Sequence, residues 1–600
     1  MKLPSRRVLA VLATAALAAV ILPASSVANG PSPTNKIFAR QLAIELGQAQ
    51  AHKWEMPLSG GTMTTLLGVT GGLATPQSDN GHGGPNAPNC ASNFAGGGNG
   101  AAKNVRVNQD CSLRRQAEEV VAVNPTNESN LIAGQNDSII GYNHCGYDYS
   151  FDGGKTWGTV TPPFWSHVQG DNHTADACSD PTATFDSQGN AYVGGVLFDL
   201  ASNAGSIVVQ KSNAPIGGAF YHTPTTGPYQ LYSTDPIGLV AATNSPSQAL
   251  DKEFIVADSH ADSPKADNVY ATYTLFELTG AGVGIHSPIY FSQSTDGGAT
   301  WSAGIEISGS NAAWCTGFSG EADPNACDQD QGSDPIVGAD GTVYVSFMNG
   351  NLPGAGIGQH MIVKCGPADD CTDPANWSAP VRMGDIDYGT QPIGPDPSTG
   401  CPAGRQCLPP NGYRMTDATE GSISVDNNGT LYSVWADFRN GGGTCATLSS
   451  AATATSPCDN DVFYNYSTDG GTTWSDTVQL TPAGSAQWQP WSAVTADGSK
   501  LYVAYYDRSY GNCEETGCND ITLATITNTA SDSPTVSHTR ITTSSMPNLT
   551  PDNNPVQAGF LGDYMWVTTD SHDRALMTWA DTRGQGGTVE EDIYFSRTSH

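Results

Sequence analysis

Acidic side chains recur at one position of a repeated unit, and they are the residues of this sequence best placed to do chemistry. Each unit starts with an acidic or amide residue, continues as a short alternating segment, turns through Asp, Asn and Gly, and ends in a second segment of the type L-Y-x-x-W. The seven initial residues are Glu118, Asp180, Glu253, Asp334, Glu420, Gln489 and Asp563, with Tyr564 beside the last. Carboxylates gathered around one axis require shifted pKa values, a bound cation or a substrate. The alternative is that each carboxylate caps the backbone of its own unit.

Three arginines in the later units form a second candidate set. They end the second segments as Asp437-Phe-Arg439, Asp507-Arg508 and Asp581-Thr-Arg583. A guanidinium binds a carboxylate through two parallel hydrogen bonds, so three together suit an acidic ligand. The alternative is a salt bridge within each unit, because acidic third segments follow at Asp461, Asp520 and Asp592.

One acidic loop is a candidate cation site. The run DPNACDQDQGSD from Asp323 to Asp334 is dense in the oxygen ligands that Ca²⁺ takes, although it lacks the EF-hand spacing. The alternative is a solvated loop held by Cys315 and Cys327. The sequence requires no other cofactor, and it contains no G-x-S-x-G elbow, H-E-x-x-H helix or phosphate-binding glycine loop.

The elements that must position these residues are short strands. Alternating apolar and polar residues between Asp/Asn-Gly turns, in seven units, predict four-stranded antiparallel blades of an all-β propeller. Three turns share the form S-x-D-G-G-x-T-W and begin at Ser150, Ser294 and Ser467. In each, Asp accepts hydrogen bonds from the turn and Gly supplies positive φ, so the turn closes a hairpin. Successive strands of a blade run in opposite directions. The first strands therefore start on one face, the funnel face, and these turns lie on the opposite face, the Asp-box face.

These units and turns resemble the Asp-box propellers of the sialidase-like superfamily over residues 105 to 600. Sialidases have six blades, which is the alternative to the seven counted here. They also carry an Arg-Ile-Pro type motif before the first box, whereas no arginine lies between Glu118 and Ser150. The resemblance implies a glycoside hydrolase with Tyr564 as nucleophile and Glu420 or Asp563 as its carboxylate partner. It also implies that Arg439, Arg508 and Arg583 bind an acid group. Glu253 and Asp334, which the repeats place on the same face, are further candidates for binding the substrate.

The N-terminus indicates export. Basic residues at Lys2, Arg6 and Arg7 precede an apolar run from Val8 to Leu22 and small residues before Ala28, an order typical of a signal peptide over residues 1–28. Residues 29–104 form an N-terminal segment with one predicted helix between Asn35 and Trp54 and a Gly/Asn-rich linker. The net charge of −33 argues against binding to nucleic acid or insertion into an anionic membrane.

Fourteen cysteines in an exported chain predict disulfides. Close pairs are expected to staple loops, and the irregular spacing argues against the alternative, a zinc site. The predicted pairs are Cys315/Cys327, Cys365/Cys371, Cys401/Cys407, Cys445/Cys458 and Cys513/Cys518, while Cys90, Cys111, Cys145 and Cys178 are unassigned.

Two functions are therefore expected. The first is a secreted sialidase-like glycoside hydrolase that cleaves terminal sugars from glycans. The alternative is a non-catalytic propeller that binds carbohydrate or protein, since function depends on the site rather than on the fold.

Overall fold

The chain folds into seven four-stranded antiparallel blades, so the seven-bladed prediction is confirmed and the six-bladed alternative is not. The computed structural model describes residues 33–51, 55–70, 93–94, 103–109, 115–138, 144–162, 175–221, 238–280, 284–317, 322–351, 357–387, 407–408, 413–414, 421–440, 460–482, 484–510, 519–547, 560–584 and 591–599. The predicted signal peptide and Glu420 lie outside these residues.

The blades follow one another along the chain, and in blades 1 to 6 the strands run from inner to outer edge in chain order. Blade 1 contains β2 (Gln116–Val123), β3 (Leu131–Asp137), β4 (His144–Ser150) and β5 (Gly158–Val160), and blade 2 contains β6 (Ala177–Phe185), β7 (Ala191–Phe198), β8 (Gly205–Ser212) and β9 (Leu239–Thr243). Blade 3 contains β10 (Gln248–Ala257), β11 (Val269–Leu278), β13 (Ile289–Ser294) and β14 (Ile305–Glu306), with β12 (Ile285–His286) paired to β11.

The remaining blades have the same plan. Blade 4 contains β15 (Asp330–Val337), β16 (Val343–Asn349), β17 (Ile357–Cys365) and β18 (Val381–Asp387), and a small hairpin follows from β19 (Cys407–Leu408) and β20 (Tyr413–Arg414). Blade 5 contains β21 (Gly421–Val425), β22 (Leu431–Asp437), β23 (Asp461–Ser467) and β24 (Val478–Gln479), and blade 6 contains β25 (Gln487–Val494), β26 (Lys500–Asp507), β27 (Asp520–Thr527) and β28 (Thr535–Arg540).

Blade 7 closes the ring with a strand from the other end of the chain. Its inner strands are β29 (Trp566–Thr569), β30 (Ala575–Asp581) and β31 (Asp592–Arg597), and its outer strand is β1 (Val105–Arg106). The buried guanidinium of Arg106 pairs with Asp592, which joins the two ends. Closure of this kind ties the two ends of the chain into one blade, whose outer edge is a short strand.

The Asp-box turns have the predicted hairpin chemistry. In the first, Ser150 Oγ accepts the Gly154 amide at 2.9 Å, and Asp152 Oδ1 accepts the Thr156 amide at 2.9 Å. Gly154 has φ of 82°, a left-handed conformation that a side chain would strain. The turn bonds back to the β2–β3 turn through the Gly153 amide and the Ser129 carbonyl at 2.9 Å. This contact places the box on the face opposite to the starts of the first strands.

Two helices of the N-terminal segment pack on the funnel face. The predicted helix is present as α1 (Lys36–Glu45), and it ends earlier than expected because Gly47 adopts φ of 68° just beyond Leu46. A second helix, α2 (Gly60–Thr70), was not predicted. Their apolar side chains share one core with residues of blades 2 to 5. That core contains Ile37, Phe38, Met56, Leu58, Met63 and Leu66 from the segment and Ala177, Phe198, Ala249, Phe276, Met348, Ile386, Trp435 and Phe463 from the blades.

Three disulfides lie within the described residues. Two were predicted, Cys315–Cys327 and Cys365–Cys371, and the third joins Cys145 of β4 to Cys178 of β6, so it links blades 1 and 2. The other predicted pairs fall outside the described side chains. In the part of the chain that the structure covers, no helix has the length and apolar character needed to cross a membrane.

Candidate functional site

The inner strands carry a bulge near their starts, and this bulge aims polar groups at the propeller axis. The pairing register shifts there in β2, β6, β10, β15 and β25. A residue of positive φ marks the same point in each of these strands and just before β29. These residues are Glu118 (60°), Asp180 (55°), Lys252 (50°), Gly332 (66°), Gln489 (49°) and Gly562 (92°). Bulges of this kind redirect side chains and are frequent at functional sites.

The bulges correct the alignment of the repeats. The alignment of the repeats placed Glu253, Asp334 and Asp563 at these points. The structure instead has Lys252, Gly332 and Gly562 there, and the predicted residues lie one, two and one positions later. The predicted ring of carboxylates is therefore interrupted. A strand start cannot reveal a bulge of one residue, because the alternation of apolar and polar residues resumes on either side of it.

A buried lysine lies among the carboxylates on the axis. The Lys252 ammonium is 2.7 Å from Asp563 Oδ2 and 3.1 Å from Asp180 Oδ1, and all three side chains are almost fully buried. The same ammonium lies 4.8 Å from the centre of the Tyr564 ring. Glu118 joins the cluster, and its other partner is the side-chain amide of Asn136. The cation that a carboxylate ring requires is thus supplied by the chain itself.

Burial and the neighbouring charges shift the pKa values of the cluster in opposite directions. Burial would lower the pKa of Lys252, but the charges of Asp180, Asp563 and Glu118 raise it above its ordinary value. Burial raises the pKa of Glu118 well above its ordinary range, although Lys252 acts in the opposite direction. Burial and the charge of Asp180 also raise the pKa of Asp251, the residue before Lys252, to about 8. The cluster keeps one positive charge and holds some of its carboxyl protons.

The N-terminus of α2 sits on this cluster. The Ser59 amide donates to Asp251 Oδ2 at 2.5 Å, and the Gly60 amide donates to Asp563 Oδ2 at 2.6 Å. The Thr62 hydroxyl donates to Asp251 Oδ1 at 2.9 Å. Carboxylates favour a helix N-terminus because they accept its unpaired amides and face the positive end of its dipole. We call the axial cluster of Glu118, Asp180, Asp251, Lys252 and Asp563 the funnel, and the residues Ser59 to Thr62 its occupant.

Only glycine fits at two positions of the occupant. A Cβ on Gly61 would lie 2.1 Å from Ser179 Oγ, 2.5 Å from Asn136 Nδ2 and 2.8 Å from Glu118 Oε2. A Cβ on Gly60 would lie 2.3 Å from the ring of Phe560. The backbone of the helix therefore approaches the funnel more closely than any side chain would allow.

Two of the three predicted catalytic residues, Asp563 and Tyr564, are neighbours in the chain, and both lie beside Lys252. The Tyr564 hydroxyl donates to the Pro181 carbonyl at 3.1 Å, and its ring packs 5.1 Å from that of Phe254. Burial, followed by the charge of Glu118, raises the pKa of Tyr564 well above its ordinary value. The phenol is therefore protonated. The third residue, Glu420, lies outside the described residues.

Asp334 and Glu253, the two acidic residues predicted to bind the substrate, have other surroundings. Burial raises the pKa of Asp334 to about 7, and its Oδ2 accepts the Ile423 amide of blade 5 at 3.0 Å. Side-chain oxygens at equivalent places make the same link between other blades: Thr182 accepts from Ile255 at 3.1 Å, and Ser422 accepts from Ser492 at 2.9 Å. Asp334 thus connects two blades. Burial and the charge of Asp180 raise the pKa of Glu253 well above its ordinary value.

The three predicted substrate-binding arginines each have a partner in their own blade. Arg439 Nε donates to Asp437 at 2.9 Å, Arg583 Nε donates to Asp581 at 2.9 Å, and Arg508 Nε donates to Asn519 at 3.1 Å. The aspartates of the first two pairs also accept an indole N–H, from Trp435 and Trp579. The sequence shows this pairing of Trp, Asp and Arg as a repeated W-A-D-x-R motif. Arg439 also donates to the Asp385 carbonyl of blade 4 at 2.6 Å, and Arg583 donates to the Thr543 hydroxyl at 3.0 Å.

A channel runs along the axis on the other side of the cluster. It has a volume of about 420 Å³, and turn residues such as Asn124, Glu128 and Asp570 at one end show that it reaches the Asp-box face. Four aromatic side chains line it: Phe185, Phe254, Trp491 and Trp566. The rings of Trp491 and Trp566 stack with centres 4.1 Å apart. Cavities of roughly 300–1,000 Å³ with an aromatic lining are typical of small-molecule sites.

Charged residues surround the mouth of the channel. Glu128 accepts the Ser571 amide at 2.7 Å and the ring nitrogen Nδ1 of His572 lies 2.5 Å from it. Arg574 pairs with Asp570 at 2.6 Å and with Glu128 at 3.4 Å. Two groups of three metal-ligating side chains converge among the described residues, Glu118/Asp180/Asp563 and Glu128/Asp570/His572. Each is already paired with a basic side chain, Lys252 in the first group and Arg574 in the second. Neither includes the Asp323–Asp334 loop, where a Ca²⁺ site stays a prediction.

Comparison with known proteins found only distant likenesses. No family model and no curated protein matches the sequence. Similar solved structures include a protein of unknown function from Dyadobacter fermentans (11% identity, 83% of this chain and 98% of that one, TM-score 0.39). They also include the phage phi92 endosialidase (12%, 84% and 69%, 0.38) and an arabinofuranosidase of Fusarium graminearum (11%, 82% and 97%, 0.37). Values this low carry no argument about activity.

Sequence reasoning missed the residues that distinguish the two axial sites. Lys252 stands between Asp251 and Glu253 in the run DKEF, and the scarcity of basic residues in this chain was the signal that could have singled it out. Ser59-Gly60-Gly61-Thr62 is a helix start with an N-cap serine, and Ser59 Oγ accepts the Thr62 amide at 3.1 Å. Trp491 and Trp566 follow the starts of first strands, so the sequence could place them on inner strands. It could not show how far along the axis their rings lie.

Proposed function

We propose that this protein is a secreted carbohydrate-binding β-propeller that takes its ligand in the axial channel. The observation that carries the proposal is the aromatic lining of a cavity that reaches the protein surface. Indole rings offer flat apolar faces to the C–H faces of sugar rings, and their N–H groups can donate to hydroxyls. The carboxylates and Arg574 at the mouth offer further hydrogen-bonding partners for hydroxyl groups.

Three features favour binding over hydrolysis. The Tyr564 hydroxyl is bonded to a carbonyl rather than to a carboxylate base. Asp563 is paired with Lys252 and with the occupant of the funnel. Each arginine already bonds to a side chain of its own blade, Arg439 and Arg583 to an aspartate and Arg508 to an asparagine. A hydrolase of the retaining type needs a nucleophile and an acid that both reach the sugar.

The test compares binding with turnover. The labelled protein should bind neutral glycans on an array, and the binding should be lost in Trp566→Ala. The matched control is Trp301→Ala, which makes the same change at an Asp-box tryptophan outside the channel. The protein should not hydrolyse a fluorogenic sialoside or a panel of aryl glycosides. Binding that survives Trp566→Ala, or an absence of glycan binding, would overturn the proposal.

A second candidate is the sialidase-like hydrolase, favoured by the meeting of Asp563 and Tyr564 in one cluster with Glu118 and Asp180. In this case Tyr564 is the nucleophile and Glu420 or Asp563 its partner, and Arg439, Arg508 and Arg583 hold the acid group. Glu253 and Asp334 then act from the same face. Turnover of the sialoside that is lost in Tyr564→Phe and in Glu420→Gln, with folding retained, would establish this function instead.

A further inference from the structure

Asp334 is a buried carboxyl in the lining of the axial channel, and its link between blades uses only one of its two oxygens. Oδ2 accepts the Ile423 amide at 3.0 Å, and among the described residues this is the one hydrogen bond that the carboxyl accepts. Only 5% of the residue is exposed, and it lies against the channel. The second oxygen, Oδ1, is therefore left for a group inside the channel.

The link between blades does not by itself require a carboxyl at this position. Thr182 and Ser422 make the equivalent link with a hydroxyl oxygen, which accepts the amide of Ile255 and of Ser492. A bonded hydroxyl costs less to bury than a charged carboxyl, and burial raises the pKa of Asp334 to about 7. The additional oxygen and the charge are therefore available for a second partner.

The lining of the channel carries acidic groups and no basic ones. Its acidic residues are Glu128, Asp334 and Asp570, and no Lys, Arg or His lies among the described residues that line it. At the mouth, Arg574 pairs with Asp570 and with Glu128. Asp334 forms no ion pair within the part of the chain that the structure describes. A positive group on a ligand is therefore attracted to Asp334 rather than to the mouth.

Aromatic rings stand at the same level of the axis as this carboxyl. Strand pairing resumes after the bulge at Asp334 in β15, at Phe254 in β10 and at Trp491 in β25, so these residues have equivalent positions in three blades. Trp566 stacks on Trp491, and its ring centre lies 5.7 Å from that of Phe254. A carboxylate beside aromatic rings binds an organic cation through a charge-assisted hydrogen bond and through attraction to the ring faces.

We propose that the ligand of the axial channel is a sugar that carries a protonated amino group. Its ammonium donates to Asp334 Oδ1, and its ring contacts the indoles of Trp491 and Trp566. A sugar that carries a carboxylate is disfavoured, because it would bring a further negative charge to an acidic lining. This inference rests on the proposed function and names the ligand class of the same site.

The experiment compares two disaccharides that differ only at C2 of each ring. The β-1,4-linked disaccharide of glucosamine has an ammonium where cellobiose has a hydroxyl. Titration calorimetry at pH 7 measures the dissociation constant of each. The wild-type protein should bind the glucosamine disaccharide about tenfold more tightly, because a hydrogen bond between charged groups replaces a weaker one. Equal affinities, or tighter binding of cellobiose, would overturn the inference without the use of a variant.

Asp334→Asn tests whether this carboxyl makes the choice. The asparagine oxygen can still accept from Ile423, so the link between blades is kept while the charge is removed. The variant should bind the glucosamine disaccharide about tenfold less tightly than the wild type, with its affinity for cellobiose unchanged. Asp262→Asn, the same change at an exposed position outside the channel, should keep the wild-type preference. A preference that survives Asp334→Asn, or an equal loss for both sugars, would show that Asp334 only joins the blades.

Failure of this inference can be told apart from failure of the proposed function. If both disaccharides bind equally and Trp566→Ala abolishes the binding of both, the channel binds sugars and does not select an amine. If neither disaccharide binds while other glycans of the array do, the inference again fails alone. Only an absence of binding to every glycan would overturn both.

Discussion

The funnel and the channel lie on the same axis and are built by the same inner strands, yet their chemistry is opposite. On β10, Lys252 belongs to the funnel and Phe254 to the channel. On the inner segment of blade 7, Tyr564 lies beside the funnel and Trp566 lines the channel. Two residues therefore separate a charged, covered site from an aromatic one. On β10 the bulge makes this step sharp, because it turns Lys252 toward the axis before alternation resumes.

The two regions also differ in how their polar groups are satisfied. The funnel contains its own cation and its own donors, from Lys252 and from the Ser59–Thr62 segment. The channel has aromatic rings in its wall, includes Asp334 in its lining, and has further charged residues at its mouth. A site that is internally neutralised resists opening, whereas a ring-lined cavity is ready for a ligand. Three substitutions test this difference, taken from the largest expected effect to the smallest.

Lys252→Met should have the largest effect. It leaves Asp180, Asp563 and Glu118 buried without a counter-ion, and breaking a buried ion pair costs about 3–5 kcal/mol. Urea unfolding at pH 7 measures the loss in the free energy of unfolding. Lys155→Met, on an exposed Asp-box turn, is the control and should change it little. A loss below about 1 kcal/mol would show that the funnel charges are not mutually stabilised.

Asp334→Asn should remove a pH-dependent loss of stability. The folded pKa of Asp334 is about 7, above its ordinary value of 3.8, so the wild-type protein loses stability as the pH rises between these values. Asparagine cannot ionise, so the variant should gain on the wild type by about 2–4 kcal/mol between pH 4 and pH 8. Its amide oxygen can still accept from Ile423.

The measurement is urea unfolding of both proteins across this pH range. Asp262→Asn, at an exposed position, should follow the wild-type curve. If the difference between Asp334→Asn and the wild type stays constant with pH, the carboxyl of Asp334 is not titrating in the folded protein, and its link between blades has a different basis.

Asp296→Ala should have the smallest effect. Asp296 accepts the Thr300 amide at 2.8 Å and the Thr300 hydroxyl at 2.6 Å within one exposed turn. Loss of such a turn contact costs about 1 kcal/mol in the free energy of unfolding. Glycan binding should be unchanged, because the box lies at the outer part of blade 3. Reduced binding with unaltered stability would assign the Asp box a functional role and contradict the proposed use of the channel.

Much of the fold could be predicted because its signals are local. The Asp boxes, the close cysteine pairs Cys315–Cys327 and Cys365–Cys371, and the alternation of each strand involve residues near one another in sequence. The meeting of Asp563 and Tyr564 near Glu118 and Asp180 also followed from the strand parity. The partners of these residues did not, because a repeat alignment is uncertain by one residue wherever a strand bulges.

The sequence by itself determined seven blades, their closing turns and the face on which polar strand starts meet. Hydrogen bonds and packing within a hairpin require only neighbouring residues, so they leave a repeated pattern. Only the tertiary structure decided that Lys252 neutralises the axis, that Asp334 joins two blades, and that α2 covers the funnel. The last contact joins Gly60 to Asp563 across 503 residues. No local pattern records which distant segment fills a central site, because that choice depends on the shape and charge that the assembled blades present together.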